Sequence, residues 1–201
     1  MREIAKTNRF GLFAITIMCF IFIINLILSR DGNLMWIVFS GGGCIVDYLG
    51  DTYTAVFEEI QVYRLITYGY TQTAIWHLLV NVLSLWYIGI YFEKQIGIKW
   101  FVFVYHAGLI FAGITIFLFY PNSMNCGASP GIFTYFGVGV NWLIRKRDMW
   151  KEYKKQKGFY FLLFYLVLSN FVGICTFVIH ALGFCIGFFL GFIVKNNKML
   201  S

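Results

Sequence analysis

A serine in Gly127-Ala128-Ser129-Pro130-Gly131 and a histidine in Ile179-His180-Ala181-Leu182-Gly183 each open a helix-length apolar stretch. A hydroxyl and an imidazole at one depth of a helix bundle are the minimum equipment for acyl transfer: the imidazole takes the hydroxyl proton and the oxygen attacks a carbonyl carbon. His77 and Asn81 stand four residues apart, so both project from one helical face and address the same neighbour. Their ring and amide donors, with the free N–H groups of a helix that starts at Ser129, suit a tetrahedral oxyanion. Pro130 is compatible with that start, because a proline in the first turn lacks only a donor that has no intrahelical partner. No carboxylate stands at this depth to orient His180, so the set reads as a Ser-His dyad. Phe133, one turn below Ser129 on the same face, is the candidate ring to stack on the imidazole.

Membrane-spanning helices are the elements that must position these groups. Of 201 residues, 60% are hydrophobic, 21% aromatic and only 12% charged, far from a soluble domain and typical of a polytopic membrane protein. A helix crossing roughly 30 Å of hydrocarbon needs about 20 residues. Residues 10–29 make one span. Residues 65–92 carry no formal charge; the part from about residue 74 is a span, and 65–73 reads as interfacial. Residues 100–144 are too long for one helix and are broken by Pro121-Asn122-Ser123-Met124-Asn125. Residues 158–194 hold two short helices with a turn near 173–176. The expected architecture is an all-α membrane protein, one domain over 1–201 with six spans at about 10–29, 74–92, 100–120, 129–144, 159–174 and 179–194.

Six spans put both termini on one side, and Lys and Arg accumulate on the cytoplasmic side. Arg2, Lys6, Arg9, Lys94, Lys99, the cluster in 145–157, Lys195 and Lys198 share a side, fourteen of sixteen basic residues. The other side holds Arg30 and Arg64 with Asp31, Asp47, Asp51, Glu58 and Glu59. Both termini are therefore expected to be cytoplasmic. The same rule accounts for the basic loop 145–157, so no nucleic-acid partner is inferred. An uncleaved first helix is expected, since 10–29 is long for a signal peptide and lacks a small-x-small site.

This threading brings His77, Asn81, Ser129 and His180 to one depth near the outer leaflet. Each alone is more often a packing residue that bonds backbone or a neighbouring helix. Together they mark function, because polar groups in hydrocarbon are costly. Gly183, Gly187 and Gly191 recur every four residues, a seam that lets two helices approach closely; it serves ordinary packing as well as it serves bringing His180 to Ser129. The five cysteines are odd in number and show no C-x-x-C spacing, so neither a disulfide framework nor a zinc site is implied.

The ordered set His77-x-x-x-Asn81, Gly127-Ala128-Ser129 and His180-x-x-Gly183-x-x-x-Gly187 resembles the rhomboid family of intramembrane serine proteases. Further family-like features are Tyr63-Arg64, the stretch from His77 through Trp86, Glu93 ahead of Gly97, and Tyr105; together they cover about residues 64–191. The resemblance implies a six-helix rhomboid-like bundle with Ser129 as nucleophile and His180 as general base. It places Asn81, His77 and the Ser129 N–H around the oxyanion, and Gly127 at the helix start, Phe133 by its spacing and Gly183 in the seam stand as supporting residues. It implies that residues 30–73 lie against the membrane and that single-span membrane proteins reach the site sideways from the lipid bilayer. Cleavage near the outer end of the substrate helix, no cofactor, and a prokaryotic plasma membrane follow on the same grounds. Three positions depart from the family pattern: Pro130 replaces a second glycine, Thr134 a small residue, and Gln72 a frequent histidine.

Competing readings are a catalytically silent rhomboid-like protein that binds membrane clients, for which Pro130 is the argument, and a small transporter or channel. A transporter would gather ionisable groups near the midplane in paired halves; here only His106 strays toward the inner side, where it reads as a packing histidine. A metal on His77 and His180 lacks a third strong ligand. Cys126 reads as a loop residue rather than the nucleophile. Physiological substrate and oligomeric state are not legible in the chain.

Overall fold

A computed structural model of the chain describes residues 8–29 and 34–194. Arg2, Lys6, Arg30, Asp31, Lys195 and Lys198, which enter the charge asymmetry, and both chain termini lie outside the described residues.

The first helix, α1 (Arg9–Leu28), is apolar along its length. A helix start leaves backbone N–H groups unpaired, and a carboxylate there both accepts them and meets the positive end of the helix dipole. Glu93, remote in sequence, does this: its two oxygens accept Arg9 N–H at 2.8 Å and Phe10 N–H at 3.0 Å.

Residues 34–70 fold into α2 (Leu34–Ser40), α3 (Cys44–Leu49), strand β1 (Asp51–Thr52), a π-turn (Thr54–Glu58) and α4 (Arg64–Thr67), which tightens into a 3-10 turn (Tyr68–Tyr70). The buried guanidinium of Arg64 staples it, donating to the Asp47 and Gly50 carbonyls at 2.9 and 2.7 Å and to Gln61 at 2.6 Å. The fold is otherwise all-α, but β1 pairs antiparallel with β2 (Met124–Asn125), Asp51 facing Asn125. This bridge lies in the break expected at 121–125 and ties the segment that follows α3 to the loop just ahead of Ser129.

Helix α5 (Ile75–Ile88) runs through a π-turn (Gly89–Glu93) into α6 (Lys94–Thr115), with the break at Gly97, whose φ of 78° favours glycine. Helices α7 (Ser129–Arg145), α8 (Met149–Lys154), α9 (Phe159–Leu168, extended by a 3-10 turn Ser169–Phe171) and α10 (Ile174–Leu190) complete the chain. Among the described residues, Arg9–Leu28 and Ile75–Leu118 have the length and hydropathy to cross a bilayer, and Phe159–Phe171 and Ile174–Leu190 are shorter apolar helices. Large apolar side chains on the outside, such as Phe20, Ile23 and Phe164, mark a membrane-associated surface.

Helix α10 begins five residues earlier than the expected span at 179. The backbone break falls at Gly173, and nothing from Ile174 onward interrupts a helix. His180 therefore sits in the second turn of α10 rather than at its start.

Helix α7 packs on α10 and α6. A side chain at Gly183 would strike the Pro130 carbonyl, one at Gly187 the Thr134 carbonyl, and one at Gly191 would meet Asn141 Cβ at 2.6 Å. Gly137 reciprocates, since a side chain there would strike the Phe184 carbonyl. The glycine seam thus presses the α10 backbone onto α7. On the other side, Tyr135 stacks on Phe101 of α6 at 4.5 Å and donates to its carbonyl at 2.6 Å.

Candidate active site

Ser129 is the first residue of α7 and is 7% exposed; His180 is 2% exposed. The Gly183–Pro130 contact lies one residue after Ser129 and three after His180, so the seam brings the two to one level of the bundle. Both line a cavity of about 530 Å³. Its walls come from α5 (Trp76, His77, Val80) and α9 (Phe161, Phe164, Leu168), and among the described residues no Asp, Glu, Lys or Arg lines it.

The His180 imidazole lies flat on Phe133, centroids 4.1 Å apart and planes 11° from parallel, the partner expected from the helical spacing. Its Nδ1 is 2.9 Å from Asn170 Oδ1, at the end of the α9 segment, and its buried Nε2 has no hydrogen-bond partner among the described residues. Sequence reasoning missed Asn170. The available signal was an amide at the end of an apolar run, ten residues before His180.

His77 lines the cavity from α5. Its Nδ1 accepts the Thr73 N–H at 3.4 Å and contacts Thr73 Oγ1 at 3.1 Å, so in the neutral ring Nε2 carries the hydrogen. That Nε2–H faces the backbone before Ser129: a side chain at Gly127 would come within 2.7 Å of it. Gly127 also has a φ of 126°, outside the range of most L-residues, and its N–H donates to the Tyr68 carbonyl at 2.8 Å.

Asn81 is near but does not line the cavity. It is fully buried, with its oxygen accepting the Tyr165 hydroxyl at 2.8 Å and its amide donating to Gln72 Oε1 at 2.7 Å. Gln72 thus acquires a physical role, fixing the Asn81 amide, while its own amide reaches Met18 Sδ at 3.3 Å. Tyr165 also lies beside the Ser129 side chain and against Phe133.

The first intrahelical bond at the start of α7 runs from Ile132 N–H to the Ala128 carbonyl, so Pro130 displaces no helical bond. Thr134 turns its hydroxyl back onto the Pro130 carbonyl at 2.8 Å and lies against Gly108 of α6, where a side chain would strike it.

Two alternatives lose ground. Cys126 Sγ points to the Val46 carbonyl at 3.9 Å, and burial, with Asp51 and Asp47 nearby, pushes its thiol up to about 12, away from the thiolate a nucleophile needs. His106 is paired at both nitrogens, with the Tyr70 hydroxyl at 2.9 Å and the Val102 carbonyl at 2.8 Å, as a packing residue would be. No group of three His, Cys, Asp or Glu side chains able to hold a metal occurs among the described residues.

The chain is similar to RHOMBOID-like protein 2 of Arabidopsis thaliana, 32% identical over 69% of this chain and 44% of the relative. It is 27% identical to the “Putative rhomboid protease YdcA” of Bacillus subtilis over 82% of this chain and 85% of that protein. It is also 26% identical to “Inactive RHOMBOID-like protein 8” of Arabidopsis thaliana, over 64% of this chain and 36% of the relative. The chain therefore spans less than half the length of the plant relatives it matches. The profile of the Rhomboid domain matches residues 59–197, which includes every site residue named above. On that match the chain belongs to the rhomboid family.

Proposed function

We propose that this chain is an intramembrane serine endopeptidase that cuts single-span membrane proteins near the outer end of their transmembrane helix. Ser129 Oγ attacks the scissile carbonyl carbon while His180 Nε2 takes its proton. The tetrahedral oxyanion meets the Ser129 N–H and the His77 Nε2–H, with Asn81 turning its second amide hydrogen toward it. Collapse expels the amine, which takes the proton from His180, and water then releases the acyl group from Ser129. Six spans with both termini in the cytoplasm would put this site near the outer leaflet, where water reaches it. The gap between Trp76 and Val80 of α5 and Phe161, Phe164 and Leu168 of α9 would admit a substrate helix from the bilayer.

The observation that carries this reading is His180: buried, stacked on Phe133, and lining one cavity with Ser129 while its Nε2 has no partner among the described residues. A base awaiting a proton donor looks like this; a packing histidine has both nitrogens paired, as His106 does.

The test is cleavage of a single-span reporter in proteoliposomes by wild type, Ser129→Ala and His180→Ala, with a fluorophosphonate probe alongside. Wild type should cut and label, and both variants should lose cutting. A second reading is favoured by Pro130, which removes the N–H of the residue after the serine, and by similarity to a relative named inactive. If wild type does neither and Pro130→Gly restores both, the chain is a silent client-binding rhomboid.

A further inference from the structure

The Asn170 side chain is fixed at both ends of its amide. Its Nδ2 donates to the Leu166 carbonyl at 2.7 Å, and a carbonyl only accepts, so the oxygen is the end turned to His180. An amide oxygen has no hydrogen to give. His180 Nδ1, 2.9 Å away, must therefore be the donor, and in the neutral imidazole the lone pair then lies on Nε2. Nε2 is the nitrogen left buried, without a partner among the described residues, in the cavity that Ser129 lines.

Resting on the Ser129–His180 reading, we infer that Asn170 is a positioning residue: its side-chain oxygen holds His180 in the Nδ1–H tautomer, so that Nε2 is always the base presented to Ser129. Among the described residues no carboxylate lines the cavity, and the titratable groups facing it with His180 are His77 from α5, Tyr165 from α9, Cys126 from the loop before α7 and Cys175 on α10. None of these makes the Nδ1 contact that Asn170 makes. The stack on Phe133 restrains the plane of the ring but does not distinguish its two nitrogens; Asn170 supplies the distinction. The dyad expected from sequence is by this inference oriented by a neutral third residue on the neighbouring helix segment. Because Asn170 ends the α9 segment, which also forms one wall of the cavity, displacing that wall for a substrate helix would loosen the tautomer lock.

Two substitutions separate this role from simple capping of α9. Asn170→Leu removes both the acceptor and the donor to Leu166. Asn170→Asp keeps an acceptor for Nδ1 and loses only the donor. Reporter cleavage by Asn170→Leu should show kcat lowered by about tenfold to a hundredfold with KM little changed. Asn170→Asp should recover most of kcat, with the acid limb of its pH profile moved to higher pH because a carboxylate favours the imidazolium. The protein has three histidines, so ¹⁵N-histidine spectra are assignable; His180 should carry its hydrogen on Nδ1 in wild type and Asn170→Asp, and lose that preference in Asn170→Leu. If wild type is active and Asn170→Leu keeps its kcat and its tautomer, or if Asn170→Asp is as impaired as Asn170→Leu, the positioning role is overturned while the protease reading stands. Wild-type protein that neither labels nor cuts overturns the protease reading and this inference with it.

Discussion

At the scale of single residues, the site depends on groups held in states that the bulk chain would not adopt. Gly127 needs a φ of 126°, and a side chain there would meet the His77 ring at 2.7 Å. Gly127→Ala should cost about 1–3 kcal/mol of stability from backbone strain and reduce fluorophosphonate labelling, because His77 must move; labelling at the wild-type rate would remove His77 from the oxyanion. Asp51 is sealed from solvent, neither carboxylate oxygen has a well-formed hydrogen bond among the described residues, and burial raises its carboxyl from 3.8 to about 7, moderated by the adjacent Asn125 and by Arg64. The folded state then holds the proton more tightly than the unfolded chain. Its stabilising share is complete below about pH 4 and is lost as pH rises through about 7. Asp51→Asn should abolish that slope and raise stability at pH 8 by about 1–4 kcal/mol, read by thermal unfolding in detergent at pH 5, 7 and 8. A wild-type midpoint flat across this range would show that Asp51 does not titrate there. Ser129, His180, His77 and Phe133 were legible because spacing on one helix or sequence order conveys them. Asn170, Gln72 and Asp51 were not, because their roles come from partners on other elements.

The elements matter through one close contact. Gly183, Gly187 and Gly137 let α7 and α10 touch backbone to backbone, which sets Ser129 and His180 at one level. Gly187→Val places a branched side chain against the Thr134 carbonyl and should cost about 1–3 kcal/mol or more by overpacking. It should abolish labelling at Ser129 even in protein that stays folded. Gly173→Ala is the control: its backbone is extended, a side chain there meets nothing within 4 Å, and the change should stay within about 0.5 kcal/mol. Equal loss in both would show that α10 is fragile along its length rather than at the seam. The glycine period was visible in the sequence as packing, and only the tertiary contact identifies α7 as its partner. The turn expected at 173–176 is narrower in the structure, because Gly173 alone takes the extended backbone and α10 starts at Ile174, a detail the apolar run does not announce. The bridge between Asp51 and Asn125 was likewise invisible, since two-residue strands leave no periodicity.

For the whole molecule, the proposed six-span topology would turn residue 53 outward and residue 154 toward the cytoplasm. In a background with all five cysteines replaced, Tyr53→Cys should react with an impermeant thiol reagent on intact cells and Lys154→Cys only after lysis. Reversed labelling would invert the topology, and labelling of both on intact cells would break the six-span count. Composition and uncharged run lengths alone pointed to a membrane-associated protein built from helices, because hydrocarbon offers no water to backbone groups and a run of about 20 apolar residues pairs them all within one helix. The order and spacing of Ser129, His180, His77 and Asn81 determined which residues to examine, because i to i+4 geometry is a local property of any helix. Only the tertiary structure decided that Asn81 is engaged by Gln72 and Tyr165, that Glu93 caps α1, and that Asn170 takes one nitrogen of His180 and leaves the other unpartnered. Those are contacts between residues 9 to 84 positions apart, and a hydrogen bond across such a distance depends on how helices pack, which no local pattern of residues encodes.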